Sequence, residues 1–178
     1  VIDFNEDSLL AEQSVLGSLI LLGDPNSDLV IKTLGMIKKS SFYKMYHKQI
    51  FSSIQSLINK GEAIDLLTVE SECEKQGIKD QGLFVYLSEI MRSTPSAANI
   101  IAYAKIVRDY AIERYANQKL QEIIGTFNDR SNGDVYQRLG LLETTISSIS
   151  EKGIGNDKQG LKHVTQAAGD WLDNIEEI

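Results

Sequence analysis

Apolar residues recur every three to four positions along almost the whole chain, the spacing of helices that each turn one face toward a core. Leu9, Leu10, Gln13, Leu16, Gly17 and Ile20 share a side of a first predicted helix, with Asp7 or Ser8 as its cap. Asp24, Pro25, Asn26 and Ser27 are turn residues. Leu29, Val30, Leu34 and Ile37 give a second apolar face, and Asn26 or Ser27 would cap it. Ile50, Phe51, Ile54, Leu57 and Ile58 give a third, which stops at Gly61 because glycine tolerates the left-handed end of a helix. Asp65 or Thr68 opens a short acidic helix that ends at Gly77, and Phe84, Leu87, Ile90 and Met91 define another.

Thr94-Pro95 predicts the start of a much longer helix, with Thr as cap and Pro in the first turn. Ile100, Tyr103, Val107, Tyr110, Ala111, Leu120, Ile124 and Phe127 follow on one side, and from Ser96 to Phe127 only Gly125 interrupts the pattern. A helix of that span would be roughly 48 Å long. The polar string from Asn128 to Gly133 predicts a sharp loop. Val135, Leu139, Leu142, Ile146 and Ile149 then step by four, three, four and three, a heptad seam. Long helix, tight loop and heptad helix together predict a projecting hairpin.

Residues 153–160 have the composition of a linker. Beyond them Leu161, Val164, Ala168, Trp171, Ile175 and Ile178 line one side of a last amphipathic helix. A tethered apolar face with little chain nearby to cover it predicts docking on another surface. The expected fold is therefore all-α: a helical head (1–94), a long helix and hairpin (95–152), a linker (153–160) and a linker helix (161–178). No strand pattern competes.

The residue inventory excludes several classes. One cysteine among 178 residues rules out an internal disulfide and points to a reducing compartment. No apolar run approaches a membrane span, so no membrane is expected as a partner. The chain opens on Val1 rather than Met, which implies a piece of a longer or processed product. There is no G-x-x-x-x-G-K-[ST], no G-x-G-x-x-G, no C-x-x-C and no H-E-x-x-H, so no catalytic, cofactor or metal site is predicted. His47, among Phe42, Tyr43, Tyr46 and Phe51, is expected to be a half-buried structural histidine. Cys73, surrounded by Glu70, Glu72 and Glu74, is expected to be inert, and those glutamates to form a solvated face.

Charge is distributed in bands although the net value is −7. Residues 38–60 carry five lysines and no acid, flanked by acidic stretches on both sides. Within that band Lys38, Lys39, Lys44 and Lys48 interleave with Phe42, Tyr43 and Tyr46, the mixture that single-strand binders use. The residues leave open a scaffold or adaptor domain and an independent nucleic-acid-binding module that uses residues 38–48.

Three stretches carry a resemblance. Ala11-Glu12-Gln13-Ser14-Val15-Leu16-Gly17-Ser18-Leu19 is the first. Phe42-Tyr43, His47, Ile50-Phe51, Ile54, Leu57, Gly61, Ile64-Asp65 and Thr68 form the second. The third is Tyr86-Leu87 with Thr94-Pro95-Ser96-Ala97-Ala98-Asn99-Ile100, then Tyr103-Ala104 and Ile106-Val107-Arg108-Asp109. In order and spacing they resemble the N-terminal domain of DnaB-type replicative DNA helicases over residues 9–114, and the layout beyond matches that family's hairpin and linker helix.

The resemblance implies a non-catalytic collar and linker, cut from an absent RecA-like motor domain that would use ATP and Mg. It implies a hexamer built from dimers around single-stranded DNA, with docking of primase and a helicase loader, in the cytoplasm of a bacterial or phage-infected cell. Val135, Leu139, Leu142, Ile146 and Ile149 would pair subunits. Leu161, Val164, Ala168, Trp171 and Ile175 would dock on the motor domain of a neighbouring subunit. The small Ala97 and Ala98 would allow close packing, and Asn99 would bond to backbone in the head.

Overall fold

The computed structural model describes residues 6–154 apart from Arg130 and Asn132, and the side chains only as far as Ile149. It contains seven α-helices and two short 3-10 turns, with no strand among the described residues. The helices are α1 (Glu6–Leu22), α2 (Asp28–Met36), α3 (Met45–Lys60), α4 (Leu66–Lys75), α5 (Leu83–Ser93), α6 (Ile100–Asn128) and α7 (Val135–Ile154). The 3-10 turns are Lys39–Ser41 and Ala97–Asn99. The chain forms two compact units, Val1–Ala111 and Ile112–Ile178, so the division falls inside α6. The linker helix expected at 161–178 lies outside the described residues, as does the linker from Gly155 onward. α7 continues through Gly153 and Ile154, which composition alone assigns to the linker.

In the first unit α1 is the central element. It packs on α5, on α3 and on the turn Ala97–Asn99. This explains a departure from the predicted apolar face. A helix covered from several sides buries more than one stripe, and α1 buries Ser8, Ala11, Glu12 and Val15 through Ile20, whereas Leu10 points out at 59% exposure. Val15, Leu16 and Leu19 share a core with Ile50, Phe51, Ile54 and Leu57 of α3, with Leu83, Leu87 and Ile90 of α5, and with Ile100, Ala104 and Val107 of α6. Each fully buried Leu, Ile or Phe contributes roughly 1.5–3 kcal/mol relative to exposure. Phe84, expected on the inner face of α5, is partly exposed, and Leu83 one position earlier takes its place.

Local signals set the helix ends. The αL glycine Gly61 (φ 68°) closes α3, with its N–H on the Ile58 carbonyl and the Glu62 N–H on that of Leu57. Asp65 rather than Thr68 caps α4: its Oδ1 accepts the N–H groups of Leu67 and Thr68 at 2.9 Å, and the Thr68 hydroxyl accepts the Asp65 N–H. Thr94 does not cap the long helix. Its hydroxyl turns back and donates to the Ile90 carbonyl at 2.7 Å, which seals the end of α5, and α6 starts after the turn at Ala97–Asn99. Ala97 in that turn is half-buried; Ala98 and the Asn99 residue expected to reach into the head are exposed.

The second unit is the predicted hairpin. α6 ends at Asn128, and Gly133 adopts φ 105° in the connection. Asp134 and Gln137 form a reciprocal cap: the Asp134 carboxylate accepts the Gln137 N–H at 2.9 Å, and the Gln137 side chain accepts the Asp134 N–H at 3.1 Å. Arg138 of α7 donates to the Phe127 carbonyl at 2.6 Å and lies over the Phe127 ring. The two helices flank a groove of about 310 Å³, lined in part by Ile123, Phe127, Leu141 and Leu142.

Candidate functional site

Three arrangements carry chemistry: a buried polar network in the head, a basic edge directly above it, and the apolar surface of the hairpin.

The network joins α1, α3 and α5. Glu12 is 1% exposed and His47 is fully buried. The Glu12 carboxylate accepts His47 Nδ1–H at 2.7 Å, the Tyr43 N–H, and the Lys44 N–H at 3.5 Å. The other ring nitrogen, Nε2, meets the Tyr86 hydroxyl, and Gln13 Nε2 donates to that hydroxyl oxygen at 3.2 Å. The partner fixes the direction of the Nδ1 bond. A carboxylate only accepts, so His47 donates through Nδ1. Tyr86 accepts from Gln13, and burial raises its phenol above the ordinary range, so the hydroxyl keeps its proton beside Nε2. Gln13, Tyr86, His47 and Glu12 thus form one connected chain of hydrogen bonds across α1, α3 and α5.

His47 was expected to be half-buried, and full burial is the correction. The reason is that Glu12 and Tyr86 satisfy both of its nitrogens away from water. The periodicity argument missed Glu12, although the signal is present. An acid three and four residues before Val15 and Leu16 sits at core spacing on an otherwise apolar helix.

A second buried acid was assigned wrongly. Glu72 is not part of a solvated face: it is 4% exposed and ties α4 to α3. Lys60 Nζ lies 2.8 Å from both of its oxygens, and the Ser56 hydroxyl donates to Oε1 at 2.6 Å. The Lys60 bond, with the Ser56 bond next, holds the Glu72 carboxyl at about 2. An unfolded chain titrates near ~4.3. A depressed native value stabilises the fold above the unfolded pKa, and that contribution disappears as the pH falls toward the native one. Glu72→Gln is therefore expected to lower the unfolding temperature at neutral pH, with the gap to the parent closing between about pH 5 and pH 2. Thermal unfolding followed by circular dichroism across that range checks it; a gap that does not change with pH would refute the assignment. Cys73, next in the chain, is fully buried, and burial pushes its thiol up, which opposes reactivity.

The basic edge is where the sequence places it. Lys38, Lys39 and Lys44 are exposed and Lys48 is half-buried. The aromatics among them divide. Phe42 is buried against Phe51, with ring centroids 4.7 Å apart. Tyr46 packs on Tyr86 and donates to Asp80 at 3.0 Å. Tyr43 remains outside at 53% exposure.

On the hairpin, Val135 is exposed, while Leu139, Leu142, Ile146 and Ile149 are half-buried. From Arg108 to Ile149 no described residue is fully buried. Leu120, Ile124, Tyr136 and Leu141 add to the exposed apolar surface. The docking residues expected at Leu161, Val164, Ala168, Trp171 and Ile175 lie outside the described residues. Among the described residues no group of His, Cys, Asp and Glu is placed to hold a metal ion, and no helix is long and apolar enough to cross a membrane.

An all-α head built around one central helix, followed in the chain by a helical hairpin, defines a class of all-α helical domain. The profile described as "DnaB-like helicase N terminal domain" matches residues 5–109, and the chain belongs to that family. It is 34% identical over 173 residues to the replicative DNA helicase DnaB of Buchnera aphidicola, covering 97% of this chain and 36% of that protein. It is 32% identical over 169 residues to the replicative DNA helicase DnaC of Bacillus subtilis, covering 94% of this chain and again 36% of the relative. The chain thus spans about a third of the length of these relatives. Among solved structures, the crystal structure of the N-terminal domain of DnaB helicase from Mycobacterium tuberculosis aligns with a TM-score of 0.67 at 26% identity, over 78% of this chain and 96% of that one. A DnaB-like replicative helicase, described with its interactions with primase, shares the fold at a TM-score of 0.61 and 22% identity, over 90% of this chain and 34% of that one.

Proposed function

We propose that the chain is the collar and linker region of a replicative DNA helicase. It assembles subunits into a ring and presents a docking platform to primase and a helicase loader, in the bacterial cytoplasm. ATP, Mg and the main grip on single-stranded DNA belong to a motor domain that the relatives' greater length leaves room for. The linker helix at 161–178 would dock on the motor of a neighbouring subunit. The family membership supports the process, and the primase described with the similar helicase supports the choice of partner.

One observation carries the assembly role: no described residue from Arg108 to Ile149 is completely buried, although both helices of the hairpin carry apolar side chains. Isolated helices are marginal in water, and an apolar face stabilises them only once it is covered. A second hairpin of the same kind, meeting Val135, Leu139, Leu142, Ile146 and Ile149, would cover it as coiled-coil seams do. Sedimentation equilibrium of the 178-residue chain is expected to show dimers or larger species. Leu139→Asp or Leu142→Asp should weaken association by at least roughly tenfold, because each would leave a charge buried in an apolar interface. A monomer at high concentration, unchanged by either substitution, would refute the seam.

A further inference from the structure

We infer that the turn Lys39–Ser41 and the first turn of α3 form a binding edge for single-stranded nucleic acid, with Lys38, Lys39 and Lys48 meeting phosphates and Tyr43 stacking on a base. All of these residues belong to the first unit, and the inference holds whether or not hairpins pair.

The first observation is which charges the fold has already used. Of the five lysines between residues 38 and 60, Lys60 is held by Glu72. Among the described residues Lys38, Lys39 and Lys48 make no ion pair, and the chain holds no acid between positions 38 and 61. The lysines are gathered in one band of a chain whose net charge is −7.

The second observation is that the edge is held in place from below. Glu12, buried and fixed by His47, accepts the backbone N–H groups of Tyr43 and Lys44. Phe42 on one side of Tyr43 and His47 one turn further on are both anchored in the core. Tyr43 therefore leaves the surface from a backbone clamped at both sides, and Lys44 and Lys48 stand one helical turn apart, joined by the Lys48 N–H on the Lys44 carbonyl at 3.0 Å. A surface fixed in advance loses less freedom on binding than a mobile basic loop does.

The third is the pairing of chemistries. Lysines alone would suit any polyanion. An exposed aromatic ring in their midst suits a chain that carries a flat base beside each phosphate, and stacking on such rings is tolerant of sequence. An acidic protein segment offers a flat ring only where its sequence happens to place an aromatic, whereas a single strand offers one beside every phosphate, so single-stranded nucleic acid is the occupant the edge fits best.

Fluorescence anisotropy of a labelled oligothymidylate, titrated with the 178-residue chain at several salt concentrations, tests this. Binding should weaken with salt at a log–log slope of about −2 to −3, the value for three or four phosphate contacts on a single strand. Charge reversal at Lys38, Lys39 and Lys48 together should weaken binding at least tenfold and flatten the slope. Tyr43→Ala should weaken it roughly 5- to 100-fold at unchanged slope. Lys105→Glu, on exposed α6 surface, makes one such reversal elsewhere and should have little effect. No measurable binding at 50 mM salt would overturn the inference. So would binding that ignores Tyr43→Ala and is displaced equally by polyglutamate, which would mark the edge as a site for acidic protein.

Discussion

Glu12→Ala is expected to destabilise the head by about 3 kcal/mol, since each buried donor left without its acceptor costs about 1–3 kcal/mol. That is a large share of the 5–15 kcal/mol by which a domain of this kind is stable. The size follows from what the carboxylate holds. It accepts from His47 Nδ1 and from the backbone of Tyr43 and Lys44, so its loss strands buried or half-buried donors on α3 and frees the bond that orders the imidazole against Tyr86. Glu12→Gln keeps the shape but brings an NH2 group to a site lined with donors, so it should fall between Ala and the parent. Urea unfolding at pH 7 measures the difference. A loss under about 1 kcal/mol for Glu12→Ala would mean that the network adds nothing beyond what water provides.

Gly17→Ala should be the other costly change, for a steric reason. A Cβ built on Gly17 would lie 2.1 Å from the Thr94 hydroxyl and 2.6 Å from the Ile90 carbonyl oxygen. The hydroxyl cannot simply rotate away, because it closes α5 through its bond to that same carbonyl. The backbone of α5 cannot yield without opening the contact between α1 and α5. Overpacking of this kind costs typically 1–3 kcal/mol and occasionally more. Gly35→Ala provides the control. No atom lies within 4 Å of a Cβ placed there, and in helix α2 alanine is the better helix former. Gly17→Ala should lower the midpoint of chemical unfolding clearly while Gly35→Ala leaves it unchanged or raises it; equal midpoints would refute the close approach.

The two cases show how sequence and tertiary structure divide the work. Helix content, the order of the elements, the loop before α7 and the heptad spacing of its apolar residues were all legible in the chain. Each depends on residues near one another in sequence: Gly61 as an αL terminus, Asp65 as a cap, the 3.6-residue recurrence of Ile50, Ile54 and Leu57. The basic edge was legible for the same reason, since its lysines lie within eleven positions. The resemblance to replicative helicases was carried by local strings as well, and the match over residues 5–109 bears it out.

What was not legible concerns residues that meet only after the helices pack. Periodicity assigns a helix one inner face. Only the packed head decides that α1 lies at its centre, and so buries Glu12 and Gly17 while Leu10 faces outward. Glu12 finds His47 thirty-five positions on, and Glu72 finds Lys60 by the meeting of α3 and α4. An acid on a helix surface is indistinguishable in sequence from an acid with a partner waiting, because the cost of burial is offset by a group elsewhere in the chain. Thr94 shows the same limit at a helix end. Its sequence signals the start of α6, yet its hydroxyl donates to the Ile90 carbonyl at the end of α5, and the turn Ala97–Asn99 comes between it and α6. The sequence by itself therefore determined the helices and their family. Tertiary structure alone decided which polar groups go inside, because burial is a property of the packed ensemble of helices and not of any one of them.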